Sequence, residues 1–123
     1  MDGIRAVFDT NILVDFLNGI DAANDELHRF RDRAISIVTW AEVLIGATDE
    51  RETGTRNFLR SFTVVDVSVP IAERAVALRR ARRVKLPDAL IWATAETTGA
   101  LLVTRNTKDF PADAPGIRVP YSA

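Results

Sequence analysis

Four short apolar runs rich in β-branched residues, each separated from the next by stretches with helical punctuation, constrain this chain more than any other feature. IRAVF (4–8), AISIV (34–38), FTVVDV (62–67) and ALLVT (100–104) read as strands. Residues 11–18 read as a short helix capped by Thr10 or Asn11 and stopped by Gly19. A second helix covers 21–33, with Ala22, Leu27 and Phe30 facing inward. Thr39 opens a helix to about Ala47, and 50–61 are helical. Pro70 to about Arg82 form a helix, and Pro87 begins another through about Thr98, ended by Gly99. GIRVP (116–120) reads as a short edge strand. Strands alternating with helices predict an α/β domain with a mostly parallel sheet. In such sheets the usable crevice lies beyond the carboxyl ends of the strands, near a switch in strand order.

At 123 residues the chain is the size of one domain, 1–123, and its 47% hydrophobic and 27% charged residues supply both a core and a soluble surface. No stretch approaches the ~18 apolar residues of a membrane span. The start, MDGIRAVFD, lacks the basic-then-apolar order of a signal peptide. With no cysteine either, a cytoplasmic location is expected. The single histidine, His28, lies in the polar stretch NDELHRFRDR and reads as a solvated helix-surface residue. Chemistry that needs cysteine or a pair of histidines is therefore excluded, which leaves carboxylates, hydroxyls, basic groups or a metal.

The acids sit in telling places. Asp9 interrupts RAVFDTNILVDFL at the carboxyl end of the first strand, where a polar group can leave the core and line a cleft. Its bland alternative is an Asx-type turn or a helix cap. Glu42 closes TWAE, a possible capping box with Thr39, yet it follows the second strand into an apolar helix. Asp88 follows Pro87 in LPDALIWATA, where helix-start chemistry accounts for it, but that helix is apolar on most sides. Asp109 lies just past the fourth strand, where a solvated loop acid is the plain reading. Asp66, inside a predicted strand, and Asp15, taken as solvent-facing on the first helix, are set aside. Together the four fall where the fold rule brings residues to one rim. Carboxylates gathered there repel and do not all ionise cheaply without a cation. Oxygen ligands without histidine or cysteine suit Mg²⁺ or Mn²⁺, ions that activate water and stabilise charge on a phosphoryl group. Thr10, Asn11, Thr104 and Asn106 offer neutral oxygen or amide groups near the same turns.

VFDTNILVDFL (7–17), SIVTWAEVLIGA (36–47) and LPDALIWATAETTGALLVTRNTKDF (86–110), in that order, resemble the PIN-domain family, specifically its VapC-type toxins. The resemblance spans almost the whole chain. It implies a three-layer fold with a four- to five-stranded, mostly parallel sheet flanked by helices. It also implies a Mg²⁺-dependent endoribonuclease, neutralised by a cognate antitoxin and commonly dimeric. The family's metal-binding acids map onto Asp9, Glu42, Asp88 and Asp109, and its hydroxyl or amide after the final strand onto Thr104 and Asn106.

Two other readings stand beside it. AVFDTN resembles the first motif of haloacid-dehalogenase-type phosphatases, but the second acid of that motif is replaced by Asn11. A non-catalytic interaction module would use the same acids as caps. Finally, although the net charge is only -1, RRARRVK (79–85) carries five positive charges. A helical wheel sets Ile71, Ala75, Leu78 and Ala81 inward and Arg79, Arg80 and Arg83 outward, with Arg82 nearer the packed face. Those three arginines are the expected phosphate contacts, and a solvated basic face is the alternative.

Overall fold

The computed structural model describes residues 3–122; the single domain expected over 1–123 thus includes Met1, Asp2 and Ala123, which lie outside the described residues. The strands are β1 (Arg5–Phe8), β2 (Asp32–Ser36), β3 (Thr63–Val65), β4 (Leu101–Val103) and β5 (Ile117–Arg118). The helices are α1 (Thr10–Leu17), α2 (Asp21–His28), α3 (Ile37–Ile45), α4 (Glu52–Leu59), α5 (Val69–Arg82) and α6 (Leu86–Thr97). The sheet order is β3-β2-β1-β4-β5 and every pairing is parallel.

Alternation along the central strands divides the core into two layers. Val7, Ala34 and Leu102 face one side and meet Ile71, Ala75 and Leu78 of α5 and Ile91 and Trp92 of α6. Ala6, Phe8, Ile35 and Val103 face the other and meet Ile12 and Leu13 of α1, Leu27 of α2, Val43 of α3 and Leu59 of α4. The predicted three-layer α/β architecture is what the chain adopts. On the first side Trp92 meets Phe110 edge to face at 5.6 Å, which ties the loop after β4 to α6.

Several local expectations are corrected. Asp9 itself, rather than Thr10 or Asn11, caps α1, its carboxylate accepting from the Thr10 N–H at 2.8 Å. The second helix stops at His28, because Phe30 must turn inward while 32 and 33 join the sheet; Ala23 is buried in place of Ala22. Ser36 caps α3 by accepting from Val38 N–H at 3.1 Å, so the helix starts before Thr39 and the Thr39–Glu42 capping box does not form. Strand β3 ends at Val65, leaving Asp66 exposed beyond it at the sheet's far edge. Ala81 is exposed, whereas Ile71, Ala75 and Leu78 are buried as expected and the Arg82 guanidinium lies 5.2 Å from the Trp92 ring. The helix ends behave as read at Gly19 (φ 80°) and Gly99 (φ 66°), both in the left-handed region that glycine adopts freely. Among the described residues no helix is long and apolar enough to cross a membrane.

Candidate active site

The strand order reverses about β1, whose neighbours β2 and β4 lead away in opposite directions. In an open parallel sheet that is where a crevice forms. Pairing of Phe8 with Val103 places the next residues, Asp9 and Thr104, side by side at the strands' carboxyl ends. Asp9 is 3% exposed. Besides the Thr10 N–H it accepts from the Thr104 hydroxyl at 2.8 Å and from Asn11 Nδ2 at 3.0 Å. Burial pushes its carboxyl up from the usual range and the Glu42 charge adds to that, against the pull of the three hydrogen bonds.

The other acids arrive from separate elements. Glu42, in the second turn of α3, accepts the Thr10 hydroxyl at 2.6 Å, and that hydroxyl also lies 3.2 Å from the hydroxyl of buried Thr39. Asp109, in the loop after β4, accepts from Asn106 Nδ2 at 3.0 Å, while Asn106 Oδ1 takes the Asp109 N–H at 3.3 Å. Asp88 stands in the first turn of α6. Burial, then the charges of Asp9, Asp109 and Glu42, push its carboxyl up to about 6, with Lys85 opposing. Asp9, Glu42, Asp88 and Asp109 therefore share one electrostatic neighbourhood, and Thr10, Asn11, Thr104 and Asn106 supply the hydrogen bonds that orient three of them.

Arg79, Arg80 and Arg83 lie apart from this cluster. With Val76 and Leu86 they line a hollow of about 560 Å³ at the end of α5, Leu86 being two residues before Asp88. Arg79 Nη1 donates to the Val84 carbonyl at 2.9 Å and so also holds the turn between α5 and α6.

Asp15 is not the solvent-facing carboxylate expected. It is 6% exposed and takes the Arg105 guanidinium in a two-pronged pair, Nε at 2.6 Å and Nη2 at 3.0 Å, with the Tyr121 hydroxyl donating at 2.9 Å. Hydrogen bonding from Arg105 holds the Asp15 carboxyl below its ordinary value despite burial, and Tyr121 helps. Neither Arg105 nor Tyr121 was singled out in the sequence. The available signal was the four-residue spacing of Asn11 and Asp15, which puts both on one face of α1.

A PIN domain family model matches residues 6–112. The chain belongs to the PIN-domain family. Ribonuclease VapC10 of Mycobacterium tuberculosis is 36% identical over 111 residues, spanning 84% of each chain. In a toxin-antitoxin complex from Klebsiella pneumoniae, one chain is 47% identical with a TM-score of 0.91, covering 96% of this chain and 99% of that one. A chain of DNA-bound VapBC from Salmonella typhimurium is 25% identical with a TM-score of 0.76, covering 94% and 96%. PIN-domain membership removes the haloacid-dehalogenase alternative. The Asn11 side chain agrees: it donates an amide hydrogen to Asp9 and has no acid to offer a leaving group.

Proposed function

We infer that this PIN domain is the ribonuclease toxin of a toxin–antitoxin pair, a divalent-metal-dependent endoribonuclease whose site is formed by Asp9, Glu42, Asp88 and Asp109. The observation that carries the reading is the gathering of four carboxylates from the end of β1, α3, α6 and the loop after β4, where burial first and then the charges of Asp9, Asp109 and Glu42 oppose ionisation of Asp88. The hydrogen bonds to Asp9, Glu42 and Asp109 all come from neutral donors, so the repulsion among these acids is left for something else to neutralise. Carboxylates with hydroxyl and amide neighbours suit a hard cation such as Mg²⁺ or Mn²⁺. Among the described residues no three acidic or histidine side chains are already close enough to hold an ion, so a cation would have to draw the acids together.

A cation bound there would neutralise the acids, offset charge on the phosphodiester and make water acidic enough to attack at neutral pH. The chain's own residues fix the geometry: Asp9 is held by three donors, Thr10 steers Glu42, and Asn106 steers Asp109. In-line attack of water leaves a 5′-phosphate and a 3′-hydroxyl. Incubating the purified chain with RNA and Mg²⁺ or Mn²⁺ and analysing the cut ends tests this; a 2′,3′-cyclic phosphate means that the ribose hydroxyl attacked and the reading is wrong. The interaction-module alternative is separated by heat. Caps need no metal, so Mn²⁺ should raise the melting temperature of the wild type and leave Asp9→Ala unmoved only if the acids bind it.

An acidic site repels RNA, and the Arg79–Arg80–Arg83 hollow, lined also by Leu86 two residues before Asp88, supports a phosphate grip outside it. Replacing all three with Gln should weaken binding of every RNA tested and flatten the slope of log K against log salt by about two, at ~0.7 per phosphate on a single strand. Because Arg79 also holds the α5–α6 turn, an Arg80→Gln/Arg83→Gln pair is the cleaner variant, with an expected change of about 1.4. Both are measured in an Asp88→Asn background to keep the RNA intact, and an unchanged slope returns the run to a solvated surface.

The antitoxin fits a second hollow of about 650 Å³ whose walls include Val14, Leu17, Val43 and Ala47, with Glu42 and Glu50 among its acids. Glu42 belongs to both this groove and the acid rim, which supports an apolar helix that brings an Arg or Lys to the acids. Expression of the chain without its partner should arrest growth, and co-expression should restore it; harmless expression of the intact chain counts against the toxin reading. A homodimer belongs to the same reading and is tested by sedimentation.

A further inference from the structure

Asn11 and Asp15, one turn apart on α1, both hold residue 105. The Asn11 Oδ1 accepts the Arg105 backbone N–H at 3.4 Å, and Asp15 takes both prongs of its guanidinium. Tyr121, from the tail beyond β5, closes the pair from a third direction. The residues on either side of Arg105 reach the acids. Thr104 donates to Asp9, Asn106 donates to Asp109, and the Asn106 N–H is itself tied to the Thr104 hydroxyl at 3.0 Å. One clamp therefore fixes a segment whose neighbours on both sides orient members of the acidic rim. Packing alone does not require this, since apolar side chains of similar volume fill such a place at least as well as an ion pair. What a planar guanidinium fork adds is direction.

We propose that Arg105, clamped by Asp15 and Tyr121, is a positioning residue for the acidic site, holding the 104–109 segment from which Thr104 orients Asp9 and Asn106 orients Asp109 for a divalent cation. The proposal rests on the nuclease reading for its metal, and its test separates the two. Arg105→Lys keeps the charge and loses the fork; Arg105→Gln loses both. Mn²⁺ affinity is read by electron paramagnetic resonance titration, and amide hydrogen exchange is read on the same proteins, at a temperature where all remain folded. Arg105→Gln should weaken Mn²⁺ binding about tenfold or more, the usual scale for a group that orients a metal's ligands, with Arg105→Lys in between. Exchange should quicken at Asn106 and Asp109 while the amides of Ala75 and Ile91 keep their protection. A merely structural role would speed exchange across the whole domain and leave Mn²⁺ affinity where it was, and that result overturns the proposal. If the wild type takes no Mn²⁺, the nuclease reading fails and exchange alone decides the clamp: loosening confined to 104–109 upholds it, and unchanged protection there refutes it.

Discussion

Asp88→Asn is expected to abolish RNA cleavage and, in metal-free buffer at pH 7, to raise the melting temperature. Burial first, then the charges of Asp9, Asp109 and Glu42, lift the Asp88 carboxyl from 3.8 to about 6. Between those values the folded chain holds more proton than the unfolded one, so stability falls as pH rises through the window, and at pH 7 the ionised group is a standing cost. A neutral amide removes it. Two units at ~1.4 kcal/mol each overstate the effect for a partly solvated side chain, and about 1–2 kcal/mol is the discounted figure. For a domain of this size that is roughly 3–8 °C. Cleavage should drop by at least about 10²-fold, the scale of removing one group that stabilises transition-state charge. Calorimetry at pH 5 and pH 7 checks the sign: the advantage of the variant should shrink at pH 5, and equal melting at pH 7 would mean that no repulsion is stored. Asp9→Asn is a poorer probe. Asp9 accepts from three donors, and the amide hydrogens of Asn would face at least one of them, costing about 1 kcal/mol or more of fold stability.

Arg118→Ala should be among the most destabilising single changes away from the apolar core. Glu26 is 2% exposed and holds the Arg118 guanidinium at 2.6 and 3.0 Å, with Arg29 at 3.2 Å. Removing Arg118 leaves a buried carboxylate with one partly exposed partner. The expected cost is about 3 kcal/mol, the lower end for a broken buried pair because Arg29 remains, or roughly 10 °C in melting temperature. A Glu26→Leu/Arg118→Met pair should recover most of it. If the single variant melts like the wild type, Arg29 suffices. The change should reach activity as well, because the Arg118 carbonyl accepts the Thr104 N–H at 3.0 Å and so backs the strand end that holds Asp9.

The legible parts of the sequence were those set by local signals. Every strand was legible because β-branched apolar runs are short and bounded, and the nearness of the four acids to one another was legible because each follows or faces a strand end. Helix starts were less legible. Several adjacent residues in FDTN and SIVT can cap, and only the turn geometry chooses Asp9 and Ser36. The Asp15–Arg105 and Glu26–Arg118 pairs were illegible for a different reason. Each joins residues about ninety positions apart, and each partner alone looks like an ordinary surface charge. Burial of a charge is a property of the pair, so inspecting one residue at a time cannot reveal it. The Arg79–Arg80–Arg83 face was readable from helical period, but the bond from Arg79 to the Val84 carbonyl was not, because it depends on how the chain leaves α5 with Arg83 at φ 57°.

The central strand is made before its partners in the sheet and completed late. Strand β1 is flanked on one side by β2, but its other neighbour, β4, brings Thr104 to Asp9 across 95 residues of chain. Contacts so distant in sequence form late, after the loop-closure entropy has been met. During synthesis the chain emerges from its N-terminal side, so Asp9 waits without Thr104, Asp109 or the Tyr121 closure of the clamp until the segment through Tyr121 has left the ribosome. The acid rim is thus incomplete while the intervening chain is made, and a nascent domain of this design cannot present its assembled site before β4 and the segment after it have emerged.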